Sequence, residues 1–130
     1  MLFFGHRFIK SENFYHISTI DAIINTPPSS TLYLEFSEEN LDIINYLKEN
    51  SINFVLSIKD IKELLYASAL GASYILVEKE LASVAQSIAE SYLFDAKILV
   101  MIESDDALEE LATQSIDGVL YSNAIVKISS

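Results

Sequence analysis

The sequence predicts a single α/β domain over residues 1–130, built on a parallel sheet of five to six strands joined by repeating helices. Two observations carry this fold class. From residue 31 onward, short β-rich runs recur at an even spacing of roughly twenty residues, and helical periodicity fills each gap. A parallel neighbour requires a crossover connection of about a dozen residues or more, so strand-helix alternation at this spacing implies parallel pairing. The composition supports a packed core, with 51% hydrophobic residues and a mean hydropathy of +0.30.

Taken in order, residues 2–9 read as a first strand. Ser18-Thr19-Ile20-Asp21 suggests the capped start of a short helix, which must end before Pro27-Pro28 because proline restricts its predecessor. The next strand, 31–36, alternates Leu32, Leu34 and Phe36 with Thr31, Tyr33 and Glu35, so Glu35 faces away from the most apolar side. Ser37 can cap the helix that opens with Glu38-Glu39, which places carboxylates against the positive end of the helix dipole. A strand over 53–58 leads into a helix over 60–70, and Gly71 suits the left-handed position after it.

A strand over 74–77 precedes the clearest helix, 79–94, where Leu81, Val84, Ala85, Ile88, Ala89 and Tyr92 are spaced as one apolar stripe. Glu80, Gln86, Glu90 and Asp95 fall on the opposite face. The remaining strands are 97–102 and 117–121, with Ser104 capping a helix that opens Asp105-Asp106 between them. As first-turn acids, Glu38, Glu39, Asp105 and Asp106 are explained by the dipole. Two architectures fit this pattern: an open doubly wound sheet and a partial (β/α) barrel. A complete eight-stranded barrel typically takes about 250 residues.

Charge and composition narrow the function classes. Nineteen acidic residues against eight basic ones give a net charge of −11, with Arg7 the single arginine, so the overall field repels phosphate backbones and no nucleic-acid partner is expected. Without cysteine there is no disulfide, thiolate nucleophile or cysteine zinc site. The apolar runs are far short of the roughly twenty residues of a spanning helix, and the first residues lack the features of a secretory signal. No membrane association and a cytoplasmic location are therefore expected.

Gly5, Gly71 and Gly118 are isolated, so neither a P-loop nor a dinucleotide fingerprint is present. A receiver domain would need an acidic pair after its first strand, where this chain has Gly5-His6-Arg7. His6 and His16, ten residues apart, share no helical face and make a weak zinc pair. Sites in parallel α/β folds lie at the carboxyl ends of the strands, which selects His6, Arg7, Glu35, Ser57 with Lys59, Glu78, Glu103 and Ser122-Asn123. Glu35, Glu78 and Glu103 read either as solvated charge and structural ion pairs or as a carboxylate cluster for a hard divalent cation.

Gly5-His6-Arg7, Glu12-Asn13 and the strand Leu32-Tyr33-Leu34-Glu35-Phe36 together resemble the opening of the glycerophosphodiester phosphodiesterase family, a metal-dependent (β/α) barrel. The segment Phe54-Val55-Leu56-Ser57-Ile58-Lys59 is similar to its glutamate-x-lysine strand, and Ile116-Asp117-Gly118-Val119-Leu120 to its closing strand. The resemblance implies proton transfer by His6, phosphate contact by Arg7, metal ligation by Glu35 and a charge-partner role for Lys59. Ser37 and Ser57 stand where the family has carboxylates, and its histidine-aspartate pair has no counterpart. The resemblance therefore implies a truncated, non-catalytic relative. The expectation is a small protein that binds or assembles, as a homo-oligomer and most simply a dimer, without a firmly predicted cofactor. The alternative is a phosphodiester hydrolase using a divalent cation.

Overall fold

Side chains alternate across a strand, so a parallel sheet coated by helices on one side must also dispose of its other face. In the computed structural model, which describes residues 1–128, that second face is enclosed by the sheet itself. The strands are β1 (Leu2–Phe4), β2 (Phe14–His16), β3 (Thr31–Glu35), β4 (Phe54–Ser57), β5 (Tyr74–Val77), β6 (Lys97–Ile102), β7 (Gly118–Tyr121) and β8 (Ile125–Lys127). The helices are α1 (Leu41–Glu49), α2 (Ile61–Ala69), α3 (Lys79–Ser91) and α4 (Leu108–Thr113), with short 3-10 turns at Asp21–Asn25, Glu38–Asn40, Asp105–Ala107 and Ser122–Ala124.

All eight strands are parallel, in the order β1-β7-β6-β5-β4-β3-β2-β8. In a flat sheet of this order β1 and β2 would stand roughly 29 Å apart, six strand spacings. The rings of Phe4 on β1 and Phe14 on β2 are instead 4.8 Å apart, and both lie about 5.5 Å from the ring of Tyr74 on β5. The sheet is therefore curled, and of the two architectures the partial barrel is the one present. A three-residue turn from β7 to β8 is possible for the same reason, since the curl brings β8 round to pair with β2.

Curling splits the core into two layers. Phe4, Phe14, Tyr33, Val55, Leu76, Leu99 and Leu120 point inward and fill the curl. Leu32, Leu34, Leu56, Ile75, Ile98 and Val100 point outward and pack under Ile44, Leu47, Leu64 and Ala85 of the helices. Each fully buried large side chain contributes about 1.5–3 kcal/mol from burial.

The strand count exceeds the expected five to six because β2 and β8 have three residues each, too short for a period-2 pattern to show. The first strand stops at Phe4 instead of running to residue 9, because Gly5 takes φ +91° and turns the chain. The apolar stripe of α3 is also corrected. Ala82, Ala85, Gln86 and Ala89 are the buried positions, while Val84 and Tyr92 are exposed. Small residues let α3 approach the sheet closely, and Gln86 is buried because its Oε1 accepts the Asp117 N–H at 2.9 Å. That bond supports a second one, in which Asp117 Oδ2 accepts the N–H of Ile98 at the start of β6.

The local signals at the helix starts are present. Ser37 Oγ accepts the Glu39 N–H, Ser104 Oγ the Asp106 N–H, and Gly71 has φ +87° after α2. At the first short helix the cap is Thr19, whose Oγ1 accepts from the N–H of Ala22. Among the described residues no helix is long and apolar enough to cross a membrane.

Candidate functional site

The carboxyl ends of β1, β6 and β7 open into a cleft of about 470 Å³ lined by Gly5, His6, Arg7, Glu103, Asp105, Tyr121 and their neighbours. Its shape follows from Gly5. A Cβ there would lie 3.0 Å from the Ala124 Cβ and 3.1 Å from Asn123 Oδ1, so only glycine lets the chain leave β1 this close to the turn after β7. The turn is pinned on both sides: Asn123 Nδ2 donates to the Gly5 carbonyl at 3.0 Å, and the Gly5 N–H donates to Ser11 Oγ at 3.0 Å.

The reversal at Gly5 carries His6 over the outer face of the strands, edge-on to the rings of Phe3 and Tyr121. Its side chain is only 7% exposed. The Phe8 N–H donates to His6 Nδ1 at 3.1 Å, which fixes the proton of the neutral ring on Nε2. Nε2 in turn donates to Asp105 Oδ2 at 3.3 Å. The other Asp105 oxygen, Oδ1, accepts the Tyr121 hydroxyl at 2.6 Å.

These bonds set the electrostatics. The Tyr121 hydroxyl first, and His6 second, hold the Asp105 carboxyl below its usual range. Burial, reinforced by Asp105, pushes the Tyr121 phenol up to about 12, which makes it a firm donor at neutral pH. Arg7 stands at the entrance with its guanidinium carbon 4.5 Å from the Phe8 ring centroid, a cation–π contact on an exposed aromatic. Glu103, on the rim of β6, accepts the Ser122 hydroxyl at 2.9 Å.

A second polar group gathers at the carboxyl ends of β2, β3 and β8. Register places Lys127 of β8 beside His16 of β2, and His16 beside Tyr33 of β3, with the imidazole 4.9 Å from the phenol ring and edge-on to it. Two residues further up β3, Glu35 lies alongside Ser57 of β4. Burial lowers the His16 pKa, the nearby Lys127 charge lowers it further, and Glu35 partly opposes both. Burial raises the Tyr33 phenol, which is hydrogen-bonded to Ser57 and feels the charges of Glu35 and Glu78.

The sequence-selected residues thus divide. His6, Arg7 and Glu103 share the cleft, whereas Glu35 and Glu78 belong to the group around Tyr33. Lys59 leads into α2, its backbone N–H donating to Glu63 Oε1 at 2.9 Å, and it lines no part of the cleft. Glu35 and His6, which the resemblance assigns to one metal-dependent centre, are in different groups. Among the described residues no three His, Asp or Glu side chains are grouped to hold a metal ion. The residues present do not fit the cation that the resemblance implies.

Sequence reasoning selected none of Asp105, Tyr121, Tyr33 and Lys127, and weighed His16 only as half of a weak zinc pair with His6. Asp105 had a sufficient local explanation in the helix dipole, and its two partners come from 16 and 99 residues away. His16 and Lys127 sit on the two strands whose shortness hid them.

A second cleft, of about 450 Å³, lies at the opposite end of the sheet, under Pro27 and Pro28 beside the starts of β3 and β4. Hydroxyls, amide and apolar groups line it, and no ionisable side chain does. Comparison with family models and with curated proteins finds no match, so the barrel-like architecture stands without a family assignment.

Proposed function

We propose that this chain is a non-catalytic binding protein that takes a small polar ligand in the cleft between the ends of β1, β6 and β7. The observation that carries the reading is the bonding of His6. Both ring nitrogens are engaged, Nδ1 as acceptor from Phe8 and Nε2 as donor to Asp105, so the neutral ring has no free lone pair with which to take a proton from a substrate. Asp105 is likewise committed through both oxygens. Groups held in this way offer a fixed, preorganised surface for a ligand, which favours binding over proton transfer.

Hydrolysis of a phosphodiester would need a polarised phosphoryl group, a charge clamp and a positioned acid. Arg7 supplies a clamp, but Ser57 beside Glu35 and the distribution of the carboxylates between two groups support the binding reading. Self-association belongs to the same proposal. The sheet ends on two three-residue strands, and Tyr92, Leu93 and Ile24 leave large apolar surface in water.

The test is a set of amide-shift titrations of the labelled protein with small carboxylates, amines, amino acids, phosphomonoesters and sugars. Saturable shifts confined to Gly5, His6, Arg7, Glu103, Tyr121 and Asn123 are expected for one class. Shifts from no class, or shifts only elsewhere, would overturn the assignment of the cleft.

A further inference from the structure

Resting on the binding reading, we infer that the ligand of this cleft is a small zwitterion of the free α-amino acid class, its carboxylate held by Arg7 and its ammonium group by Glu103. Arg7 and Glu103 line one cleft and carry opposite charges, yet they are not spent on each other. Among the described residues Lys79 with Glu110 is the ion pair between side chains of fixed charge, while the neutral His6 ring gives Asp105 a hydrogen bond.

Arg7 is placed without being neutralised. Its guanidinium carbon lies over the Phe8 ring, 4.5 Å from the centroid, and among the described residues no ion pair takes up its N–H fork, which suits a carboxylate as a planar bidentate partner. Glu103 gives Oε2 to the Ser122 hydroxyl, and that bond steadies the side chain while its charge and its other oxygen stay available to a cation. The third charge in the cleft, Asp105, has each oxygen engaged, by Tyr121 and by His6, so Glu103 is the carboxylate there with an oxygen free of hydrogen bonds among the described residues.

The same arrangement weighs against simpler ligands. An anion alone would gain Arg7 and meet Glu103 and Asp105, and a cation alone would gain the carboxylates and meet Arg7. A molecule bearing both charges is the one that engages Arg7 and Glu103 together, its ammonium group offsetting the repulsion its carboxylate meets, so discrimination comes from repulsion as well as attraction. The volume of about 470 Å³ leaves room for a side chain beyond the two charged groups.

Isothermal titration tests this with glycine, L-alanine, L-serine and L-glutamine as zwitterions, and with acetate, methylamine and inorganic phosphate as singly functional probes. At least one amino acid is expected to bind with Kd at or below about 1 mM. Arg7→Ala and Glu103→Gln should each weaken it by about tenfold or more, while acetate and methylamine bind far more weakly to the native protein. Both substituted side chains are exposed, and an unchanged amide spectrum outside the cleft confirms that the variants are folded. Arg7→Lys, which keeps the charge and loses the fork, should fall between the native protein and Arg7→Ala.

Binding of phosphate or acetate at least as tight as that of any amino acid, and indifferent to Glu103→Gln, would overturn the zwitterion inference and leave the binding reading intact. Amino-acid binding unaffected by both substitutions would overturn the placement. Failure of every probe would overturn the zwitterion inference, and failure of the wider titrations above would overturn the binding reading itself.

Discussion

The Tyr121 hydroxyl lies 2.6 Å from Asp105 Oδ1, and the other oxygen of that carboxylate lies 3.3 Å from His6 Nε2. One acid thus ties the end of β7 to the turn that follows β1. Because the phenol is buried and its pKa is pushed up to about 12, it stays a donor throughout the neutral range and holds the Asp105 carboxyl low. A carboxyl whose folded pKa is depressed adds stability that is present above its unfolded value, near 3.8, and is lost as pH falls through the lower folded midpoint. In a carbon-detected titration Asp105 should titrate below 3.8 and move upward in Tyr121→Phe. An unchanged Asp105 midpoint in that variant would remove Tyr121 as the cause.

His16 gives a second pH signature. Its folded pKa lies below the ordinary 6.5 because burial and then Lys127 disfavour the charged ring. Between the lowered midpoint and 6.5 the unfolded chain binds more protons than the folded one, so stability rises with pH across that window and falls as the solution is acidified. Lys127→Gln should raise the His16 midpoint and make the acid-side loss shallower, as read from imidazole proton shifts and denaturant melts. A His16 midpoint that falls in Lys127→Gln would contradict the register that sets the two side by side.

Gly5→Ala should destabilise the protein by about 2 kcal/mol, since a side chain at positive φ is strained and its Cβ would press on Ala124 and Asn123. The amide signals of Asn123 and His6 should shift with it. A loss under about 0.5 kcal/mol would mean that the turn does not depend on this backbone conformation.

Glu35→Gln, by contrast, should change the unfolding free energy by under about 1 kcal/mol, because the carboxylate is exposed and, among the described residues, takes part in no ion pair. A loss above roughly 3 kcal/mol would require a buried charge pair that this arrangement does not contain.

The proposed self-association predicts a mass near twice 14.6 kDa by light scattering coupled to gel filtration at tens of micromolar. A mass near 14.6 kDa would contradict it.

What was legible in the sequence was the part written in local periods. The runs at 31–36, 53–58, 74–77, 97–102 and 117–121 gave strands, and Ser37 and Ser104 marked helix starts, because capping and alternation act within a few residues. The curl was not legible. It depends on Phe4, Phe14 and Tyr74 meeting across the interior, and such contacts leave no trace in spacing. The same limit applies to the site. The rule that ligands bind at strand carboxyl ends selected His6, Arg7 and Glu103, which share the cleft. It could not tell that Glu35 would join a different group, or that Asp105 would serve the cleft as well as the helix dipole. Gln86 shows the converse error: a residue that reads as solvent-facing by its polarity is buried where one backbone N–H needs an acceptor.

The most direct test of binding without turnover is release of glycerol 3-phosphate from a simple glycerophosphodiester, in millimolar magnesium, calcium or manganese, with His6→Ala as control. No release above the protein-free rate is expected, because His6 has no free lone pair and the carboxylates do not converge. Turnover near about 1 per second, abolished by His6→Ala, would contradict the account and establish the hydrolase in its place.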